Sequence, residues 1–179
     1  TYGMIYKVGA DGLFTRIAGA FSNGNFSDGR PALQTAFQPY SLAIDRDGAL
    51  LVLESNGRVR RIGTDGIVRG VAGGGAAAPA EGLPASSVTL PGLEDIAVDT
   101  DGTIYITDTF AGRVLRLKPG AAALETWFTD PALQGVNGLS LDANGALYVN
   151  NEMQNKLFRI DISPDGSAGK LTELTLSTP

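Results

Sequence analysis

The chain has 179 residues and sets 14 basic against 19 acidic side chains, a net charge of −5. That balance, with Arg58, Arg60 and Arg61 as the one basic cluster, lacks the electrostatic footprint of a nucleic-acid binder. Cys and His are both absent, which removes disulfides, Cys nucleophiles, Ser–His triads and His-ligated zinc, and leaves any metal to oxygen ligands, favouring calcium or another divalent cation.

The segment Thr1 to Tyr6 already reads as a strand, so the natural chain is expected to begin upstream. Residues 4–18 give two strands, joined at Asp11-Gly12, and residues 19–38 a loop. Three similar segments follow, opening at Pro39, Leu93 and Val136, with the anchors Asp45, Asp99 and Asp142 in equivalent places. Each starts with a small-residue apolar strand (Leu42-Ala43-Ile44, Ile96-Ala97-Val98, Leu139-Ser140-Leu141), whose unbroken apolar character predicts burial on both faces. An Asp-Gly or Asn-Gly turn and a second strand come next. The third strand alternates apolar and basic residues, which predicts one buried and one wet face; Arg58, Arg60 and Arg61 are then a solvated strand face. A further turn leads to an outermost strand, and no apolar run is long enough to span a membrane.

Small inner and larger outer residues make each segment a wedge, and stacked wedges make an all-β propeller of four-stranded antiparallel blades. The predicted layout is a half blade (4–18), blades at 39–73, 93–129 and 136–176, and inter-blade loops at 19–38 and 74–92. About three and a half blades cannot close a ring, so the remaining blades are expected from the same parent polypeptide or another chain.

Tyr40, Glu94 and Asn137 share one slot just before the inner strand, with Asp95 beside Glu94. In a propeller that slot faces the mouth of the central channel, and a phenol, carboxylates and an amide converging there suit a bound cation, with Glu94 and Asn137 as ligands, or a glycan. Asp108, Asn150 and Glu152, at or after the ends of second strands, could add ligands or a general base beside a bound cation, although Asp108 in Thr107-Asp108-Thr109 reads first as a turn cap. The pairs Asp45/Asp47 and Asp99/Asp101 read as hairpin turns, because the remaining ligands of a calcium loop are missing. Gly70 to Gly75 read as a flexible connector, and Trp127 with Phe128 as packing between blades.

Asp65 to Gly73, Leu93 to Leu117 and the loop Phe26 to Ala32 resemble the NHL-repeat propellers. The last blade, through Val136-Asn137-Gly138-Leu139, Leu147 to Asn150 and Phe158-Arg159-Ile160, is similar to gluconolactonase and strictosidine-synthase-like six-bladed propellers. That second resemblance implies a six-bladed ring and a divalent cation ligated by Asn137; the acidic partners such a site uses have no matching motif. Two functions follow as expectations: a binding or scaffold module for a protein or carbohydrate partner, or a divalent-metal-dependent lactonase-like hydrolase. The Ala/Gly richness, acidic balance and connector type fit an extracytoplasmic, secreted or periplasmic bacterial protein.

Overall fold

A computed structural model describes residues 3–20, 26–80 and 82–175. The predicted strand at Thr1 and Tyr2, the loop positions 21–25 and Glu81, and the blade end at Leu176 lie outside the described residues. The chain forms a partial β-propeller. β1 (Ile5–Val8) and β2 (Phe14–Ala18) make a two-stranded half blade. The first full blade is β3 (Pro39–Ile44), β4 (Leu50–Glu54), β5 (Val59–Ile62) and β6 (Val68–Ala72). The second is β7 (Leu93–Val98), β8 (Ile104–Asp108), β9 (Arg113–Leu117) and β10 (Glu125–Thr129). The third is β11 (Val136–Leu141), β12 (Ala146–Asn151), β13 (Lys156–Ile162) and β14 (Ala168–Leu174). Each full blade is an antiparallel meander in chain order.

The turns follow from their residues. Gly48, Gly102 and Gly145 sit at φ of 83°, 89° and 78°, and the Asp three residues ahead of each closes a tight hairpin, as in Asp45 N to Ala49 O at 2.8 Å and Asp99 N to Thr103 O at 2.8 Å. The first turn Asp also accepts locally: the Ala49 amide and then the Arg61 guanidinium hold the Asp47 carboxyl below its ordinary value.

Cohesion lies between blades. Leu51 and Leu53 of β4 pack on Ile96, Ile104 and Leu115 of the second blade. Tyr105, Trp127 and Leu133 pack on Leu139, Val149, Phe158 and Ile160 of the third. The Tyr105 and Trp127 rings meet edge to face at 4.9 Å, and Trp127 Nε1 donates to Gly166 O at 2.9 Å, stitching the second blade to the third at the outer rim. Ile5 and Ala18 of the half blade pack on Phe37, Val52, Ile62 and Val68.

Three expectations change. Burial on both faces fails for β3, where Leu42 and Ile44 are exposed because the half blade covers only the outer part of the sheet. A wet face on the third strand fails for Arg60, which is fully buried and paired with Glu54, also fully buried. The glycine run is not a loose connector throughout: Gly70 lies in β6, and a Cβ at Gly75 would stand 2.0 Å from Ser87 O. At Gly57, with φ of 75°, a Cβ would stand 2.0 Å from Leu90 O, so a side chain is excluded there twice over.

Candidate functional site

Each inner strand begins with a register irregularity at the same place: between Pro39 and Ser41, between Leu93 and Ile96, and between Val136 and Leu139. A bulge re-aims the side chains it carries and leaves backbone groups unpaired. Tyr40, Glu94, Asp95, Asn137 and Gly138 all sit in these bulges. Thr107 of β8 satisfies part of the backbone: its hydroxyl accepts from Asp95 N at 2.9 Å and donates to Asn137 O at 2.6 Å. Thr109 donates to Val136 O. At Gly138 the backbone passes close to a side chain, since a Cβ there would stand 2.7 Å from Asn150 Oδ1.

The predicted residues divide by role. The Tyr40 phenol donates to Glu94 Oε2 at 2.5 Å. Asn137 Nδ2 donates to Glu152 Oε2 at 2.8 Å, which brings Glu152 to the mouth. Asp95 is engaged inside the stack. It accepts from Ser41 Oγ of the first full blade, from Ile96 N at 2.9 Å, and from Leu139 N of the third blade at 2.8 Å. One carboxylate therefore ties three successive inner strands together. Asp108 is buried, accepts from Arg113 Nε at 2.9 Å and from Ala111 N at 3.2 Å, and faces its own blade corner. Asn151, its counterpart in the third blade, is buried and donates to Ala132 O at 2.8 Å and Gln134 O at 2.7 Å.

Sequence reasoning missed Thr107, Ser41 as an Asp95 partner, and the pairing of Glu152 with Asn137. The signal available was the hydroxyl at positions 107 and 109 beside the bulge, but its partners are in other blades and no local pattern names them.

The mouth is acidic. The Glu94 hydrogen bond and charge, with smaller contributions from burial and from the charges of Glu152 and Asp95, hold the Tyr40 phenol above its ordinary value. Glu94→Gln is expected to bring Tyr40 back toward that value. Ultraviolet titration of the phenols, with Tyr40→Phe subtracted to isolate this ring, checks it; an unchanged titration would show that Glu94 does not govern the phenol. Beside Glu152 the mouth opens onto a groove of about 760 Å³, whose lining includes Asn150, Asn155, Lys156 and Glu173. Asn155 is held at φ of 53°, a left-handed conformation that Asn tolerates.

Among the described residues, no group of three or more Asp and Glu side chains is arranged to hold a metal ion. Glu94 and Asn137 are each hydrogen-bonded to a side chain instead.

No protein-family model and no curated protein sequence matches the chain. Solved structures do. A streptogramin B lyase superposes with a TM-score of 0.61 at 19% identity, covering 98% of this chain and 49% of its own. A virginiamycin B lyase from Staphylococcus aureus gives 0.60 at 20% identity, covering 98% of this chain and 50% of its own. A gluconolactonase from Xanthomonas campestris gives 0.55 at 21% identity, covering 74% and 46%. The chain spans about half the length of these structures. At such identities the likeness concerns the propeller fold.

Proposed function

We propose that this propeller is a binding module whose channel mouth and adjoining groove take a hydroxyl-rich carbohydrate ligand outside the cytoplasm. The supporting observation is the row of side chains at the mouth, Tyr40–Glu94 and Asn137–Glu152, with a groove beside Glu152 that sets amides, carboxylates and one lysine next to the apolar Leu157 and Leu174. Carboxylates and amides accept from and donate to sugar hydroxyls, and the exposed Tyr40 ring offers a flat apolar surface for a sugar face. The NHL-type resemblance fits a display role of this kind.

The test is calorimetry of the chain against a panel of neutral oligosaccharides. Saturable binding is expected, with Asn137→Ala and Glu152→Ala each weakening it by roughly tenfold, the worth of one hydrogen bond to a partly enclosed group. An absence of saturable binding, or binding indifferent to both variants, would refute the reading.

A divalent-metal-dependent lactonase-like hydrolase is the second reading, favoured by the oxygen donors Glu94, Asn137 and Glu152 at one mouth. It needs further ligands from outside the described residues. A rise in melting temperature with millimolar calcium that Asn137→Ala abolishes would favour it over the first.

A further inference from the structure

The turns that join second to third strands stand at the mouth end of the stack. Thr109 N donates to Gly92 O at 2.8 Å, and Gln134 Nε2 donates to Phe110 O at 2.9 Å, so the turn of the second blade meets the residues leading into β7 and β11. Phe110 in that turn and Met153 in the third blade occupy one repeat position, and both are exposed, at 70% and 76%. Each lies on a glycine just ahead of an inner strand. A Cβ at Gly92 would stand 2.5 Å from Phe110 Cδ2, and one at Gly135 would stand 2.8 Å from Met153 Sδ. Phe110 has a full blade on either side, so its exposure belongs to the position and not to an open end of the stack.

Phe110 also borders a hollow of about 340 Å³ between the second blade and the connector ahead of β7, with Pro79, Leu90 and Pro91 among its walls. The charged side chains in this wall satisfy each other: the Asp108 carboxylate accepts from Arg113 Nε at 2.9 Å, and from Ala111 N at 3.2 Å. The surface left to a ligand is apolar, which suits an uncharged occupant. One stretch of chain joins this hollow to the mouth. Pro91 is a wall of the hollow, Gly92 carries the Phe110 ring, and Glu94 accepts from the Tyr40 phenol. Pro91 and Glu94 are three positions apart, no more than about 11 Å. A sugar ring joined to one aromatic ring covers that distance.

We infer that the ligand is a glycoside with an apolar aglycone, its sugar at Tyr40, Glu94 and Asn137 and its aglycone on Phe110 in the hollow. The inference rests on the carbohydrate reading of the mouth and adds the other half of the ligand. A plain oligosaccharide leaves Phe110 and the two prolines facing water. An aryl group seated there removes that apolar surface from water, which hydroxyls cannot do.

The test is calorimetry of the chain with paired methyl and phenyl β-glycosides of glucose, galactose and N-acetylglucosamine. Binding of the phenyl member is expected to be tighter by at least roughly tenfold. Phe110→Ser, at an exposed position and with an unchanged melting temperature, is expected to bring that ratio to about one, and Pro91→Ser to lower it in part. Asn137→Ala is expected to weaken both members of a pair alike. Equal binding of the two members, or a phenyl preference that survives Phe110→Ser, would overturn the inference and leave the mouth a sugar site. A phenyl preference lost in Phe110→Ser, with both members indifferent to Asn137→Ala, would refute the sugar head while the apolar hollow stands. No binding by any member would refute both.

Discussion

Arg60→Met is expected to lower stability by about 3–5 kcal/mol, read as a fall in denaturant midpoint. Arg60 and Glu54 have no accessible side-chain surface. The guanidinium donates to Glu54 Oε1 at 2.8 Å, to Ala36 O at 2.6 Å and to Phe26 O at 3.2 Å, and lies 4.1 Å over the Phe37 ring. Glu54 Oε1 also accepts from Gln38 N at 2.8 Å. Arg60 Nε stands 2.7 Å from Glu54 Oε2 but off line for a hydrogen bond, so that contact is Coulombic. Removing the cation strands a buried carboxylate, which is why the single variant suffers. Arg60→Met combined with Glu54→Leu removes both charges and is expected to recover about half of the loss or more, short of full recovery because Ala36 O, Phe26 O and Gln38 N lose partners. A single variant costing under about 1 kcal/mol would show that the pair is not desolvated.

Asp95→Ala is expected to cost roughly 2–4 kcal/mol. Its carboxylate accepts from three blades, and truncation leaves Leu139 N and Ser41 Oγ without it along the partly buried inner strands. Amide exchange at Leu139 should accelerate along with the fall in midpoint. Asp95→Asn keeps one acceptor oxygen and is expected to lose about half as much. Equal stability of the parent chain and Asp95→Ala would mean that the strands are held by apolar contact alone.

The propeller was legible because its signals are local and repeated. The Asp-Gly and Asn-Gly turns, the apolar triplets and the spacing of the anchors are each readable within one segment. Arg60 was misread as solvated because a single segment was weighed by its charge. Its equivalents in the other repeats are Leu115 and Phe158, both buried, and that comparison marks position 60 as interior. Exposure of Leu42 and Ile44 depends on which strands stand opposite, a property of the neighbouring blade that no residue of β3 encodes. At the mouth, equivalence of Tyr40, Glu94 and Asn137 was visible in the repeat. The partners Glu152 and Thr107 were not, because their pairing depends on bulges and on the stacking of separate blades.

The contacts at Gly57 and Gly75 have a consequence for how this rim can change. Backbone meets backbone at Leu90 and Ser87, so both ends of the segment between the first two full blades are clamped with no space for a side chain. Between the clamps the Ala- and Pro-rich stretch is itself tied down, since Ala77 bridges Val88, Pro84 bridges Ala123 and Ala85 N donates to Ala122 O at 2.7 Å. Foreign sequence grafted into this rim keeps the wedges on either side aligned only where it spares those bridges.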